Sequence, residues 1–403
     1  MNETIKKRNM FFVVLLVLIT IASAGTFVFM KDYIGSDLRG HWKICAYTLH
    51  GMDPFPLVNK KAAIKSIGKI PYRFTTVPWA CVFGNVLYGG WFSKTFATAY
   101  IILLHPLSAF ALIFVLLKKI SLGFDKQTRA LIALAVLSHF SLWYSMMFGN
   151  AGGIICCLLI IAVLIAEEHP FVAGVLVSIG MMKPQIALIL CIVLLLNKRL
   201  KVLITAAVID IAGWVVTALM THTSMITLLK ESLSAGVSSD DQYLGLLSFL
   251  YFFGVSKGIV SVLNAVIGLA YVGILWFMIK KSSRNLQDPE MKKYAEWLGY
   301  TPACAASVFW IYKNGTDFAI LAFLSVMFII LMKLQDDAGR KEKGVLIFLC
   351  IGFLQASRLV VSVIMTQISR DSIWSHGMKS LEGFVIMIIG IILVRKYLTV
   401  MEK

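Results

Sequence analysis

Long apolar runs alternate with short polar connections along the whole chain. The first run covers residues 10–30, and others follow at 95–117, 130–147, 154–166, 202–220, 258–279, 296–312, 318–332, 344–366 and 381–394. Runs of roughly 17–25 apolar residues match the length of a helix that crosses a bilayer, so the pattern predicts an all-α polytopic membrane protein. Strand-like alternation of the kind that builds a transmembrane barrel is missing. Two more runs, 171–182 and 184–196, reach only about 18 and 20 Å at about 1.5 Å per residue and are too short to cross. They flank Lys183-Pro184-Gln185. We expect a pair of short helices over 171–196 that rise and fall, lifting Lys183 deep into the membrane or to its far side. Counting that pair, the pattern gives about twelve membrane segments.

The polar stretches add detail. Residues 31–94 form a long first external loop. Within it Trp42, Cys45, Ala46 and Leu49 recur at helical spacing opposite Arg39, Lys43 and His50, which predicts a helix lying along the membrane surface. Gly51-Met52-Asp53-Pro54 ends that helix, since proline cannot continue it and glycine suits the turn. Residues 74–92 are apolar but interrupted by Pro78, Gly84, Gly89 and Gly90, and predict a juxtamembrane or dipping helix. A second external segment spans 221–257 and is half-amphipathic over 243–253. Residues 296–312 and 318–332 predict a hairpin around an external Lys313-Asn314-Gly315-Thr316-Asp317. No repeat, low-complexity tract or soluble domain interrupts the pattern, so residues 1–403 read as one membrane domain.

Composition agrees with the pattern: 59% of residues are hydrophobic and 15% charged, too few for the surface of a soluble chain of this length. The net charge of +17 would suggest nucleic acid in a soluble protein. Here the basic residues gather in connections such as 118–129, 197–201 and 280–293, which reads as cytoplasmic placement, and nucleic acid is not an expected partner. Lys6, Lys7 and Arg8 before the first run, and Arg395-Lys396 after the last, place both termini in the cytoplasm. The first run is long for a signal peptide and has no cleavage site, so it counts as a helix. Nine of the 38 Lys and Arg lie in residues 31–94. They suit a phosphate-bearing substrate or an anionic lipid surface, or equally a simply solvated basic helix.

The seven cysteines lie mostly in apolar runs without paired metal-type spacing, and read as small core residues. The scattered histidines give no metal site. No H-E-x-x-H, G-x-S-x-G or P-loop occurs, nor a nucleotide-binding domain, and no cofactor is expected. Asp37, just past the first run, is a candidate general base if partial desolvation raises its pKa; equally, external loops often carry acids. A helix beginning near Asp37 would bring His41 beside it. Lys183 between two short apolar helices needs an anionic partner, either a phosphate or a structural carboxylate, and Arg358 within a span invites the same reading. The intramembrane Asp210 is expected to pair with one of these cations. Trp42 and Trp79 suit interface anchors.

Asp37, His41 four residues on, and Gly51-Met52-Asp53-Pro54-Phe55 together resemble the opening motif of glycosyltransferase family 87. Gly149-Asn150 stands where the family usually has Gly-Gln. Gly180-Met181-Met182-Lys183-Pro184 is similar to its lysine-proline segment, and Gln242-Tyr243-Leu244-Gly245 loosely resembles its Asn-Gln-Ser-Leu stretch. The resemblance runs over residues 10–250 and weakens afterwards. His41 replaces a more usual tyrosine, and the late Ser-x-Trp-x-His element has only Ser307-Val308-Phe309-Trp310 as a counterpart. The resemblance implies a GT-C-type bundle in the plasma membrane. It implies an inverting transfer of a hexose, mannose by family weight, from a polyprenyl-phosphate-linked donor to a glycolipid or polysaccharide acceptor of the cell envelope on the outer face. Asp37 would be the base; Lys183, Arg358 and Arg39 would hold the donor phosphate; His41, Asp53, Asn150 and Gln185 would contact substrate. A lipid-linked sugar transporter or flippase and a polysaccharide polymerase are the alternative readings.

Overall fold

In the computed structural model, residues 3–29, 31–53, 77–120, 123–238, 245–310, 315–337, 345–365 and 373–401 are described. Their regular structure is helical throughout, with sixteen α-helices and a few 3-10 turns. The long first loop contributes α2 (Ser36–Leu49) and the short α3 (Cys81–Tyr88) after the long α1 (Glu3–Phe29). Then follow α4 (Lys94–Lys119), α5 (Lys126–Leu137), α6 (Phe140–Phe148), α7 (Gly152–Ile165), α8 (Pro170–Gly180), α9 (Pro184–Leu196) and α10 (Leu200–Thr221). The second half holds α11 (Met225–Ser238), α12 (Lys257–Ser283), α13 (Pro289–Ser307), α14 (Ala322–Asp337), α15 (Val345–Met365) and α16 (Ile373–Met401).

Among the described residues, seven stretches are long and apolar enough to cross a membrane: Ile5–Val28, Lys94–Lys119, Lys126–Phe148, Leu200–Thr221, Lys257–Ser283, Asp317–Asp336 and His376–Val400. Four shorter apolar helices accompany them, among them Gly152–Ile165, Pro170–Gly180 and Pro184–Leu196. The seven divide by position. Asp317–Asp336 is almost wholly buried and, with α7, forms the centre of the core. The α4 and α10 helices turn Leu103, Leu107, Phe110, Phe114, Ile204, Val208 and Ile211 outward. An exposed belt of that size would aggregate in water but matches lipid. The protein is an integral membrane protein.

Two segments differ from the sequence expectation. Residues 130–147 do not form one rod; the chain breaks at Ser138-His139 between α5 and α6. No proline causes the break, and side chains take over the released carbonyls instead. Gln355 on α15 donates through Nε2 to the Ala135 carbonyl at 2.8 Å, and Trp143 Nε1 donates to the Leu137 carbonyl at 2.7 Å. Within a bilayer such replacement bonds are what make a broken helix tolerable. The expected run 296–312 also differs, since its helix, α13, begins earlier at Pro289 and ends at Ser307.

The helix ends fix two poles. Arg8 on α1 is paired with Asp336 at the end of α14 at 2.6 Å, and Lys119 with Glu168 nearby. At the other pole the beginnings of α2, α7, α9 and the 3-10 turn Asp317–Leu321 come together. The chemistry-bearing residues of the sequence gather there.

Candidate active site

The surface helix begins where its glycines allow it to. Gly35, at φ 68°, caps α2 and donates its N–H to the Met147 carbonyl at 2.9 Å. Gly149 ends α6 at φ 66°, and a Cβ there would sit 2.9 Å from the Leu38 Cβ, so only glycine lets α2 dock this closely. This docking brings Asp37, in the first turn of α2, to Asn150. The Asn150 Nδ2 donates to Asp37 Oδ2 at 3.0 Å. Asp37 Oδ1 has no donor among the described residues. Burial pushes the Asp37 carboxyl above its ordinary 3.8, while the Asn150 bond and the positive charge of Lys183 pull the other way. The result is a largely buried carboxylate, hydrogen-bonded at one oxygen, without a donor at the other among the described residues, and more basic than a solvated aspartate.

Asn150 is itself fixed on every side. Its Oδ1 accepts the Gly152 N–H at 2.9 Å and a hydrogen bond from Thr316 Oγ1 at 3.3 Å. Its carbonyl accepts from Ser145 Oγ and lies 3.0 Å from His105 Nε2 on α4. Gly152 is another glycine the packing requires, since a Cβ would meet Thr316 Oγ1 at 2.5 Å.

From Thr316 the network continues into the core. Lys183 Nζ donates to Thr316 Oγ1 at 3.1 Å and to Asp317 Oδ1 at 2.6 Å. Gln185 Nε2 donates to Asp317 Oδ2 at 2.9 Å. Both members of the ion pair are buried. The short helices α8 and α9 thus lift Lys183 to the pole that holds Asp37, and its anionic partner there is a carboxylate. Trp310 Nε1 donates to the Gln185 carbonyl at 2.6 Å, which ties the late Ser307-Trp310 element to the lysine-proline segment. Three helix beginnings and one 3-10 turn point into one cluster, and the partial positive ends of the helices favour an anion in it.

The other expected site residues divide. His41 lies one turn beyond Asp37 with its ring stacked on Tyr88, centroids 4.3 Å apart and planes at 7°. Burial, then the Lys183 charge, hold the imidazole well below its ordinary 6.5, so it is neutral at neutral pH. Tyr88 in turn accepts the Ala151 N–H at 3.3 Å. Arg358 lies against Gly315, beside Thr316, and stacks over Phe318. Its Nη1 pairs with Glu382 at 3.2 Å and its buried Nε has no acceptor among the described residues. Arg39 is exposed; two residues from Asp37, it projects from another face of α2. Asp53 is buried beside Cys81 at the far end of that helix, about 18 Å of helix from Asp37. Asp210 pairs with no cation among the described residues. Ser178 Oγ donates to its Oδ1 at 2.6 Å, a neutral partner one helix away that replaces the expected charge. Pro54 and Phe55 of the first motif, Gln242 to Leu244, and Lys313 lie outside the described residues.

Thr316, Asp317, Tyr88 and Glu382 have central places that the sequence did not assign to them. The signal for the first two was present: a polar Gly-Thr-Asp between apolar runs, in a hairpin that needed a partner. Among the described residues no three His, Cys, Asp or Glu side chains group as metal ligands.

Asn150, Lys183, Gln185, Thr316 and Asp317 thus form a hydrogen-bonded polar cluster within an apolar helical bundle, with Asp37 at its edge. The sequence model of glycosyltransferase family 87 matches residues 78–334, more than half of the 403-residue chain, and the chain belongs to that family. It is a glycosyltransferase. Asn150, Lys183, Gln185, Thr316 and Asp317 lie within the matched stretch; Asp37, Arg358 and Glu382 lie outside it. No curated protein and no solved structure matches the chain.

Proposed function

We propose that the protein is an inverting glycosyltransferase that takes a hexose, with mannose the first candidate, from a polyprenyl-phosphate-linked donor. The acceptor is a hydroxyl of a cell-envelope glycolipid or polysaccharide at the outer face of the plasma membrane. Asp37 is the base. The observation that carries this reading is the Asp37–Asn150 bond, which leaves one carboxylate oxygen without a donor among the described residues, beside a cationic, donor-rich cluster. The acceptor O–H gives its proton to Asp37 and the oxygen attacks the anomeric carbon. The carbon–oxygen bond to phosphate breaks on the opposite face, and polyprenyl phosphate leaves with the bonding electrons. Fixed cations and helix beginnings stabilise that charge better than mobile water would. Lys183, and Arg358 through its buried, unsatisfied Nε, are suited to the task; Arg39 would reach the phosphate from the rim.

Gln185 and Asn150 orient substrate, and His41 acts as a neutral stacking surface. Asp53 would contact the acceptor rather than the donor, given its distance from the base. All the long and short apolar helices, with α13, then form a GT-C-type set of about twelve segments, with both termini in the cytoplasm. The test is transfer by the purified full chain, in detergent, from a panel of radiolabelled polyprenyl-phosphate sugars to a membrane acceptor extract. Product with inverted anomeric configuration supports the proposal. No transfer from any member of the panel by chain that binds the donors refutes it.

A further inference from the structure

The pole opposite Asp37 holds a cavity of about 450 Å³ between the end of α12, the beginning of α13 and the turns after α7 and α9. That volume suits a small ligand or a lipid headgroup. Its charges do not cancel. Glu167 and Glu296, the two carboxylates of the lining, are both taken by Arg199, at 3.0 and 2.6 Å. Lys293 donates to the Lys119 carbonyl at 2.9 Å and lies over the rings of Tyr294 and Trp297. The remaining cations, Lys280, Arg284 and Lys292, line the cavity with no ion-pair or hydrogen-bond partner among the described residues. Arg284, the C-cap of α12, follows Lys280 by four residues in helical backbone conformation, a spacing at which like charges repel. The beginning of α13 at Pro289 adds its partial positive end to the same wall. Trp276, whose Nε1 is bonded to Asn197 at 3.2 Å, supplies an aromatic wall.

We propose that this cavity is a second ligand site, distinct from the Asp37 cluster, that binds a phosphate-bearing anion through Lys280, Arg284 and Lys292. A basic connection needed only to orient the chain in the membrane has no use for a cavity or for carboxylates neutralised by a separate arginine. An anion here relieves repulsion between fixed cations, so it stabilises the folded chain. The proposal is independent of the donor chemistry at the opposite pole.

The test uses the purified full chain and two probes. One is inorganic pyrophosphate, read by calorimetry and by thermal shift in detergent. The other is phosphatidylglycerol against phosphatidylcholine in mixed nanodiscs, read as lipid retained on release by native mass spectrometry. The variant Lys280→Ala/Arg284→Ala/Lys292→Ala removes exposed residues and keeps the fold. A control, Lys118→Ala/Lys126→Ala/Lys201→Ala, removes three exposed cations of the same pole outside the cavity. We expect on the order of tenfold weaker binding in the cavity variant and little change in the control. Pyrophosphate binding alone assigns a soluble phosphate, phosphatidylglycerol retention alone assigns a headgroup, and both support the site. Binding of neither probe, or equal loss in the two triple variants, overturns it.

Discussion

Replacing Lys183 by methionine isolates the ion pair at the centre of the site. Its Nζ is 2.6 Å from Asp317 Oδ1, and the two residues are 8% and 1% exposed. At an effective dielectric near 20 the attraction is on the order of 6 kcal/mol, and desolvation of both groups offsets most of it. The pair itself is therefore worth little against a well-packed apolar pair. Its loss is asymmetric, however: Lys183→Met leaves the Asp317 carboxylate buried, with the Gln185 hydrogen bond but no counter-charge. A stranded buried charge costs about 3–5 kcal/mol. The double variant Lys183→Met/Asp317→Leu removes both charges and should recover most of that loss. Denaturant unfolding in micelles, followed by tryptophan fluorescence, measures the three proteins. Both variants should lack sugar transfer, since neither offers the donor phosphate a cation at this position. If Lys183→Met costs under about 1 kcal/mol, the value expected of an exposed pair, then the pair is solvated and the burial argument fails. If the double variant stays as unstable as the single one, the stranded charge is not the cause.

Further expectations concern the residues around Asp37. Asn150→Ala deletes a bond that favours the ionised form of Asp37, so the acid limb of the pH–rate profile should move to higher pH, and kcat should fall about tenfold or more. An unmoved acid limb would separate Asn150 from the base. The raised Asp37 pKa also has a stability sign: its contribution is complete below about 3.8 and lost as pH rises through the folded value, so at neutral pH the ionised group is a burden. Asp37→Asn should therefore leave thermal stability equal or higher at pH 7, and a clear loss would mean that Asp37 is structural. For His41, whose folded pKa is lowered, stability is present above about 6.5 and lost as pH falls below it. His41→Phe keeps the ring on Tyr88 and should flatten stability between pH 6.5 and 5, measured by thermal melts; an unchanged slope argues that His41 is not buried as described. Gly152→Ala pushes Thr316 away from Asn150 and should lower kcat without changing expression, read in the same transfer assay.

Much of the fold was legible because membrane helices announce themselves by length. The runs at 95–117 and 202–220 grew by only a few residues to Lys94–Lys119 and Leu200–Thr221, since nothing but the bilayer decides where an apolar helix can end. The paired short helices were equally plain, as Pro170 and Pro184 start them and Lys183 separates them. The break at Ser138-His139 was not, because Gln355 makes it possible from more than two hundred residues away. The site divides on the same line. Asp37, Asn150, Lys183 and Gln185 stood out as polar residues at the ends of apolar runs. Their partners did not, since which carboxylate reaches Lys183 depends on how α7, α9 and the turn at Asp317 pack. Asp210 shows the reverse error: an acid in a span was expected to seek a cation, yet a serine on the neighbouring helix satisfied it.

The account stands on Asp37 as the base of sugar transfer. Turnover by Asp37→Asn, measured with the full chain and a radiolabelled polyprenyl-phosphate sugar at saturating donor, tests it most directly. The variant should bind donor as the native chain does and lose transfer by on the order of 10²–10⁴-fold, the usual weight of a positioned general base. Transfer at a near-native rate by a folded, donor-binding Asp37→Asn protein would contradict the account.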